Sequence, residues 1–384
     1  MVKRSMVAVF LLTPVIAFAA RNLGFETDAF NRAFPVSDPR SIVFSPASFE
    51  IDCALVAESL STIPKANVSE MLGVTIDLES TYSPMIEGLS VNTNGFKFVV
   101  ARGFLVSKIE KAQPALRQYL ERIYGAEVVR SHPARGGTAW FRSMMEGEME
   151  DFELPPAGER ENQYSFYDLN STSVSWLEPF PTANTRVLDF VSPDGRARKV
   201  EFMADVRKAD TWDTDKFVAL KLPLKGGANF YALMPKTGAT MADVRNALSS
   251  SSIQEFFAVF NAQSGDGFRS GNCVIVLPKF RIESHHELLP IMEYFQVPVR
   301  PLTNLAGEAR PRSYTQRAVF ELKENGLNET PIVEKDKADR IAVDAETRKL
   351  VFNRPFLFFV HHVESAAIPV AGQFTGETMP AKGK

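Results

Sequence analysis

The spacing of apolar residues along the chain is helical in some segments and strand-like in others, and it predicts the elements. The predicted helices span 21–34, 45–60, a short segment beginning at Asn67, 113–124, 140–149, 240–248 and 286–295. The predicted strands span 96–106, 126–129, 200–206, 217–224, 230–235, 273–282, 318–322 and 350–360. Helices concentrate early and strands late. Because no repeat or Pro/Gly/Ser-rich linker divides the chain, the pattern indicates one α+β domain over 20–384.

The last two predicted strands enclose a charged and irregular segment. Its 27 residues, 323–349, carry only scattered aliphatic side chains. A polar segment held at both ends by strands is typical of an exposed loop, and such loops commonly carry function.

Composition indicates a globular chain with a large core, since 45% of the 384 residues are hydrophobic and 23% are charged. The formal net charge of −3 gives no reason to expect nucleic acid or an anionic membrane as a partner. Two cysteines, Cys53 and Cys273, are too few for a disulfide framework. We interpret them as two separate buried thiols, and a single bridge between them is the alternative.

Residues 1–19 have the pattern of a signal peptide. Lys3 and Arg4 precede an apolar run over 6–18, and 17–19 (A-F-A) form a small-x-small cleavage site. The alternative, a buried first helix, is weakened by Pro14 inside the run. No later segment is long and apolar enough to cross a membrane, so we expect a secreted, soluble mature protein.

No motif for a cofactor or a catalytic nucleophile occurs in the sequence. The histidine pairs 285–286 and 361–362 have no carboxylate or cysteine at metal-ligand spacing. We therefore expect no metal, no cofactor and no enzymatic activity. Basic residues alternate with glutamates over 108–122, which is typical of a solvated helix surface; a polyanion site is the alternative.

Several motifs, in order along nearly the whole mature chain, resemble those of the serpins. They are 42–46 (I-V-F-S-P), 101–106 (A-R-G-F-L-V, against the family's A-N-x-L-F-V), 124–128 (Y-G-A-E-V), 176–180 (W-L-E-P-F), 184–186 (N-T-R), 277–280 (L-P-K-F), 324–326 (E-N-G), 353–356 (N-R-P-F) and 368–374. The resemblance implies a serpin fold with three β-sheets, about eight or nine helices and an exposed C-terminal reactive loop over about 324–352.

In an inhibitory serpin, a protease cleaves this loop, and the loop then inserts as a new central strand of the main sheet and traps the acylated protease. Since an inserted strand buries alternate side chains, one alternating set must be small or apolar. One set here is Leu327, Glu329, Pro331, Val333, Lys335 and Lys337. The other is Asn328, Thr330, Ile332, Glu334, Asp336 and Ala338. Both sets contain charges.

The resemblance assigns the hinge of the loop to Glu324, Gly326, Leu327, Glu329 and Pro331. The family's inhibitors carry small residues, mostly Ala and Thr, where 327–330 stand here. Buried unpaired charges cost several kcal/mol each, and Pro331 also removes a ladder hydrogen bond. Insertion therefore costs on the order of 10 kcal/mol, which predicts a serpin without protease trapping.

The family's spacing places the cleaved bond sixteen residues after Glu324, at Arg340-Ile341. Arginine at that position suits a trypsin-like protease with an acidic specificity pocket. The alternative is that Arg340 is an ordinary exposed arginine in a charged loop.

The resemblance also identifies two structural clusters in the main sheet. The breach, at the top of the sheet, contains Lys279, Glu324 and Trp176. The shutter, beneath the sheet, contains Ser45, Ser48, Asp168 and Gln316. Asp168 and Gln316 stand where the family has Asn and His, so we expect an altered hydrogen-bond network.

Three sequons are candidates for glycosylation, at Asn67, Asn170 and Asn328. Asn67 can instead cap a helix, because Glu70 follows three residues later. Asn170 lies in a strand-like segment, where burial would block a glycan. Pro331 directly follows the Asn328 sequon, which disfavours glycosylation there.

These features predict a secreted, monomeric serpin-fold protein that binds an extracellular protein partner as a decoy or modulator in a coagulation- or complement-type protease cascade. A suicide-substrate inhibitor of a trypsin-like serine protease, with Arg340 as its specificity residue, is the first alternative. A carrier or storage serpin is the second.

Overall fold

The computed structural model describes residues 23–60, 62–74, 77–90, 95–106, 112–130, 138–145, 149, 163–298, 309–327 and 347–378. The predicted signal peptide, 1–19, lies outside these residues. Within the described part of the chain, no helix is long and apolar enough to cross a membrane.

Nine α-helices form within the described residues, in agreement with the expected number. They are α1 (Leu23–Ala33), α2 (Pro46–Glu58), α3 (Thr62–Met71), α4 (Leu78–Ser90), α5 (Pro114–Tyr124), α6 (Thr138–Met144), α7 (Met241–Asn246), α8 (Ile253–Ala262) and α9 (Leu289–Tyr294). Helix α2 is buried from Pro46 to Ala57 and lacks a polar face, which is typical of a helix surrounded by protein. The Ser45 side chain caps its first turn by accepting from the Ser48 backbone N–H.

Strands make up most of the later chain, as the sequence predicts. They are β1 (Ile42–Phe44), β2 (Phe96–Val106), β3 (Ala126–Arg130), β4 (Gln163–Ser175), β5 (Arg186–Val191), β6 (Ala197–Asp213), β7 (Phe217–Pro223), β8 (Ala228–Pro235), β9 (Phe268–Pro278), β10 (Phe280–Glu287), β11 (Arg310–Leu322), β12 (Gly326–Leu327), β13 (Arg348–Val351), β14 (Phe356–His362) and β15 (Ala367–Phe374).

The strands form a six-stranded sheet and a nine-stranded network. The six-stranded sheet has the order β10-β11-β12-β4-β2-β3. In the network the order is β1-β15-β14-β8-β7-β6-β9-β13, and β5 also pairs with β6. Because the 17-residue β6 pairs with β5 at its start and with β7 at its end, it belongs to two sheets. The described residues thus contain the three sheets of the α+β fold that the sequence predicts.

The core lies between the six-stranded sheet and the sheet that contains β14 and β15. Phe320 of β11 stacks on Phe358 of β14 at 4.5 Å between ring centroids. Phe280 of β10 stacks on Phe374 of β15 at 4.2 Å. These ring pairs hold the two layers together, since buried aromatic pairs add to the burial of apolar area.

The centre of the six-stranded sheet contains a parallel ladder, which we call the central seam. It pairs residues Gln163–Ser171 of β4 with Arg310–Val319 of β11. Above it, the two residues of β12 lie between the same strands: Leu327 is opposite Val174 of β4 and Leu322 of β11. The first residues of the predicted exposed loop are therefore already part of the sheet.

Several predicted elements have different bounds in the structure. The run 350–360 is two strands, because β13 joins β9 while β14, beyond Pro355, joins β8 and β15. The run 273–282 belongs to β9 and β10, and Lys279 stands where the chain crosses between sheets. The predicted helix 286–295 begins only at Leu289, since His286 and Glu287 continue β10 against β11.

Further differences lie earlier in the chain. Helix α3 begins at Thr62, so Asn67 lies inside it and the predicted cap is wrong. The predicted helix 140–149 ends at Met144. Helix α4 is absent from the predicted elements; it continues through Pro84, and Leu78, Tyr82, Met85 and Leu89 form its buried stripe. Both cysteines are buried and free, which confirms the interpretation as separate thiols.

Replacement of Gly326 by Ala should expel β12 from the sheet. Gly326 has a φ of 149°, and an added Cβ would lie 2.1 Å from the Val174 carbonyl oxygen. We expect a loss of about 1–3 kcal/mol in unfolding free energy and faster hydrogen exchange at Gly326 and Leu327. Gly195→Ala is the matched control, because Gly195 has a φ of 78° with no neighbouring atom within 4 Å. If both variants leave the exchange of β12 unchanged, Gly326 does not determine its position.

Candidate functional site

The indole of Trp176, just beyond β4, is fully buried at the top of the six-stranded sheet. Its ring packs edge-on against Phe180 and Phe230, at 5.6 and 5.4 Å between centroids. Its Nε1 donates to the carbonyl oxygen of Lys323 at 2.9 Å, and its backbone N–H donates to that of Asn325 at 2.9 Å. Trp176 therefore fixes the turn that connects β11 to β12.

Glu324 lies in this turn and forms a partly buried ion pair with Lys279. The Lys279 Nζ lies 3.1 Å from Glu324 Oε1 and 3.1 Å from Glu201 Oε2. The Thr185 hydroxyl donates to Glu324 Oε1 at 2.6 Å. Burial would raise the pKa of Glu324, but the hydrogen bonds from Thr185 and Lys279 outweigh it and lower the pKa. The three residues predicted for the breach thus meet at the turn between β11 and β12: Glu324 belongs to it, and Trp176 and Lys279 contact it.

Beneath the sheet, Gln316 of β11 joins the start of α2 to β4. The Ser45 backbone N–H donates to Gln316 Oε1 at 2.7 Å, and Gln316 Nε2 donates to the Ser45 carbonyl oxygen at 3.1 Å. The same Nε2 donates to Asp168 Oδ2 at 3.0 Å. Ser45, Asp168 and Gln316 thus form one hydrogen-bond network across the central seam. Ser48 joins it through Ser45, whose Oγ accepts from the Ser48 backbone N–H.

Two further charged residues belong to this network and were missed by sequence reasoning. Arg102 of β2 donates from Nε to Asp52 Oδ1 of α2 at 2.8 Å and from Nη2 to Ser48 Oγ at 2.7 Å. Both charged side chains are buried. The sequence does contain a signal for these two residues. Arg102 and Asp52 are each one of few charged residues in an otherwise apolar element, and such charges are commonly paired when buried. Arg102 also stands where the resembling motif has Asn.

The sequons have different environments. Asn67 is exposed on α3 and stays a glycosylation candidate. Asn170 is not a candidate, because its side chain is 2% exposed and its Nδ2 donates to Asp168 Oδ2 at 3.3 Å. Asn328 lies outside the described residues, as do Glu329 and Pro331 of the hinge.

The predicted cleavage site, Arg340-Ile341, also lies outside the described residues. The described part of the loop consists of its two ends, β12 and β13, which belong to different sheets. Among the described residues, no group of three or more His, Cys, Asp or Glu side chains could hold a metal ion.

Comparison with known proteins shows one family throughout. The family model described as "Serpin (serine protease inhibitor)" matches residues 21–376. A human plasma serine protease inhibitor is 21% identical over 88% of this chain and 85% of its own length. A probable non-inhibitory serpin-Z5 from Arabidopsis thaliana is 22% identical over 97% of this chain and 83% of its own length.

Solved structures agree on the fold. Human thyroxine-binding globulin, solved with its hormone, has a TM-score of 0.78 at 15% identity, over 93% of this chain and 98% of that one. Native protease nexin-1 with heparin has a TM-score of 0.77 at 16% identity, over 92% of this chain and 97% of that one. Since the family model covers almost the entire chain and the folds agree, this protein belongs to the serpin family.

Proposed function

We propose that this protein is a secreted, non-inhibitory serpin that binds an extracellular protein partner through its surface. The partner would be a component of a coagulation- or complement-type protease cascade, with the serpin acting as a monomeric decoy or modulator without a cofactor. The observation that carries the proposal is the burial of Leu327 in β12, because it determines which loop side chains insertion would bury.

Leu327 is completely buried between β4 and β11. Side chains alternate between the two faces of a strand, so continuation of β12 would direct every second residue after Leu327 to the same buried face. That set is Glu329, Pro331, Val333, Lys335 and Lys337. The first residue to be buried would be a carboxylate.

The central seam opposes the same step. Below β12, β4 and β11 are hydrogen-bonded directly to each other from Ser171 and Val319 downward. An inserted strand would have to separate them by about one further strand spacing, 4.8 Å, and replace this ladder. It would also separate Gln316 from Asp168, whose hydrogen bond crosses the seam at 3.0 Å. An inserting loop must form better interactions than those it breaks, and this loop supplies charges and a proline.

The remaining parts of the proposal rest on the sequence and the relatives. Residues 1–19 would direct secretion, and a human relative carries plasma in its name. The Arabidopsis relative is named as probably non-inhibitory, so the family includes members of the proposed kind. Serpins as a family are inhibitors rather than catalysts, and we propose no enzymatic activity for this chain.

Trypsin-like protease inhibition is the alternative that a specific observation favours. The Lys279–Glu324 ion pair closes the top of the sheet at 3.1 Å, and the loop contains Arg340 at the family's spacing. The human relative is named as a protease inhibitor. In this case the loop would have to insert despite its charges.

A carrier function, suggested by the structural similarity to thyroxine-binding globulin, has less support. The apolar cavity bounded by Phe30, Leu248 and Phe359 has a volume of about 10 Å³, which is room for no more than one water molecule. A small hydrophobic ligand would have to bind in an open cleft instead, such as the one of about 340 Å³ beside Phe98 and Tyr124. Ligand-induced shifts in melting temperature with aromatic hormones would reveal such binding.

The first prediction is that trypsin-like proteases cleave the loop and remain active. We expect incubation with trypsin and with coagulation and complement proteases to give two serpin fragments and no complex that survives denaturing gel electrophoresis. The reason is that trapping requires insertion of the set that begins with Glu329. A stable stoichiometric complex with any of these proteases would contradict the proposal and support inhibition.

The second prediction is that cleaved and uncleaved protein melt at similar temperatures. With the loop outside the sheet, cleavage should change the melting temperature by about 5 °C or less. A variant with Glu329→Ala, Pro331→Ala, Lys335→Ala and Lys337→Ala should instead become much more stable after cleavage, because its inward set can be buried. The variant with Glu334→Ala and Asp336→Ala is the matched control, since these residues belong to the outward set. A large gain in the cleaved wild type would show that its loop inserts.

The third prediction is that trypsin cuts the loop mainly after Arg340. Lys335 precedes an acidic residue and Lys337 is followed by Ala338-Asp339, and acidic neighbours generally slow such proteases. Arg340→Ala should slow cleavage markedly without changing the melting temperature, because an exposed loop side chain contributes little to stability. Mass spectrometry of the fragments identifies the bond. A dominant cut elsewhere that persists in Arg340→Ala would remove Arg340 from the functional residues.

A further inference from the structure

Three charged side chains meet beneath the six-stranded sheet. Asp52 of α2 and Asp168 of β4 are 0% exposed, and Arg102 of β2 is 3% exposed. If both carboxyl groups were ionised, the cluster would have a net charge of −1 in a site without water access. Such an uncompensated buried charge is strongly unfavourable.

The hydrogen bonds of Arg102 do not neutralise both acids. Its guanidinium donates to Asp52 Oδ1 at 2.8 Å, to the Tyr124 carbonyl oxygen at 3.0 Å and to Ser48 Oγ at 2.7 Å. The guanidinium contacts the Asp52 carboxyl directly, and its positive charge also acts on Asp168, so one cation serves both acids. The Asp168 carboxyl accepts at Oδ2 from the neutral amides of Gln316 and Asn170.

One oxygen of each acid remains without a donor. Asp52 Oδ2 and Asp168 Oδ1 are both buried without a hydrogen bond of ordinary geometry. The Ser48 hydroxyl lies near Asp168 and lowers its pKa, but it is neutral and does not offset the charge of a second carboxylate. The two carboxyl groups belong to one cluster, because Arg102 donates to Asp52 and is the residue opposite Asp168 in the ladder between β2 and β4. Two carboxylates repel, but a carboxylic acid donates to a carboxylate, so a single proton would satisfy both oxygens and remove the excess charge.

We propose that Asp52 and Asp168 form a proton-binding site, in which one shared proton at neutral pH joins helix α2 to strand β4 and stabilises the closed six-stranded sheet. Asp52 Oδ2 would donate to Asp168 Oδ1. On unfolding, the two carboxyl groups separate and the proton passes to solvent. This inference goes beyond the proposed function and does not depend on whether the loop inserts.

The surroundings agree with a site that retains a proton. The titratable groups nearest to it are Glu50 and Cys53 on α2 and Tyr314 on β11, and Arg102 on β2 is its cation. Burial raises the pKa of Asp52 well above its ordinary value, and the charge of Asp168 raises it further. Burial also raises the pKa of Asp168. Gln316 does not titrate, so the acids are the proton-binding members of the network.

The direction of the pH dependence follows from these shifts. A carboxyl group whose pKa is higher in the folded than in the unfolded state stabilises the fold fully below the unfolded value, about 4. That stability is lost as the pH rises toward the folded value. We therefore expect the melting temperature of the wild type to fall relative to that of Asp52→Asn by about 2–3 °C per pH unit above pH about 4.

The variants Asp52→Asn and Asp168→Asn each mimic the protonated pair, because an amide NH₂ can donate to the remaining carboxylate. Both should melt higher than the wild type at pH about 8 and lose the proton-linked slope. Glu50→Gln is the matched control, since Glu50 is a buried carboxyl on the same helix that accepts from the Tyr82 hydroxyl at 2.8 Å. It should keep the wild-type slope.

Infrared spectroscopy gives a direct readout that does not depend on stability. Folded wild-type protein at neutral pH should show the C=O band of a protonated carboxylic acid, which disappears on unfolding. The band should persist in Glu50→Gln and be absent from both Asp→Asn variants. Absence of the band in the folded wild type, or an unchanged band and slope in Asp52→Asn, would overturn the proposal. If the Asp→Asn variants do not fold, the wild-type band and its loss on unfolding, compared with Glu50→Gln, still decide it.

Discussion

The direct pairing of β4 with β11 determines where β12 enters the sheet and where the polar network around Gln316 and Asp168 forms. The central seam is a parallel ladder between strands that are far apart in the chain, and such pairing is secured by tertiary packing rather than by a local turn. Aromatic packing against β14 and β15 supports one face of the sheet. Above the seam, the two residues of β12 lie between β4 and β11.

Polar side chains connect the strands at two levels, at the top of the central seam and in its middle. At the top, the partly buried Lys279–Glu324 pair and the Trp176 indole hold the turn before β12, so this strand enters between β4 and β11 at a defined point. In the middle, Gln316 and Asp168 connect the two strands across the seam and to α2. Both sets of polar groups are at least partly buried, and a buried polar network favours one arrangement only when its members are satisfied. The shared proton that we propose would complete the satisfaction of the central network.

Gly326 determines how the chain enters the sheet at the start of the predicted reactive loop. Its positive φ and its close approach to the Val174 carbonyl allow the chain to turn back between β4 and β11. Leu327 then fills the core, and the alternate residues that follow it in the sequence are Glu329, Pro331, Val333, Lys335 and Lys337. Four of these five residues are charged or proline, so the set is poorly suited to a buried strand. This composition is the basis of our proposal that the protein acts through its exposed surface and not by deep insertion of the loop.

The family, the α+β class and the charged character of the loop could be predicted from the amino-acid sequence alone. Motif order, apolar spacing and the composition of 327–338 are local properties that can be read without coordinates. The inward orientation of Leu327 follows from the tertiary fold, because it depends on the register of β12 against two distant strands. The tertiary fold also brought Asp52, Arg102 and Asp168 into one cluster from three separate elements and divided the run 273–282 between two sheets. Long-range pairing determines these features, and no local pattern of residues records which distant segments will meet.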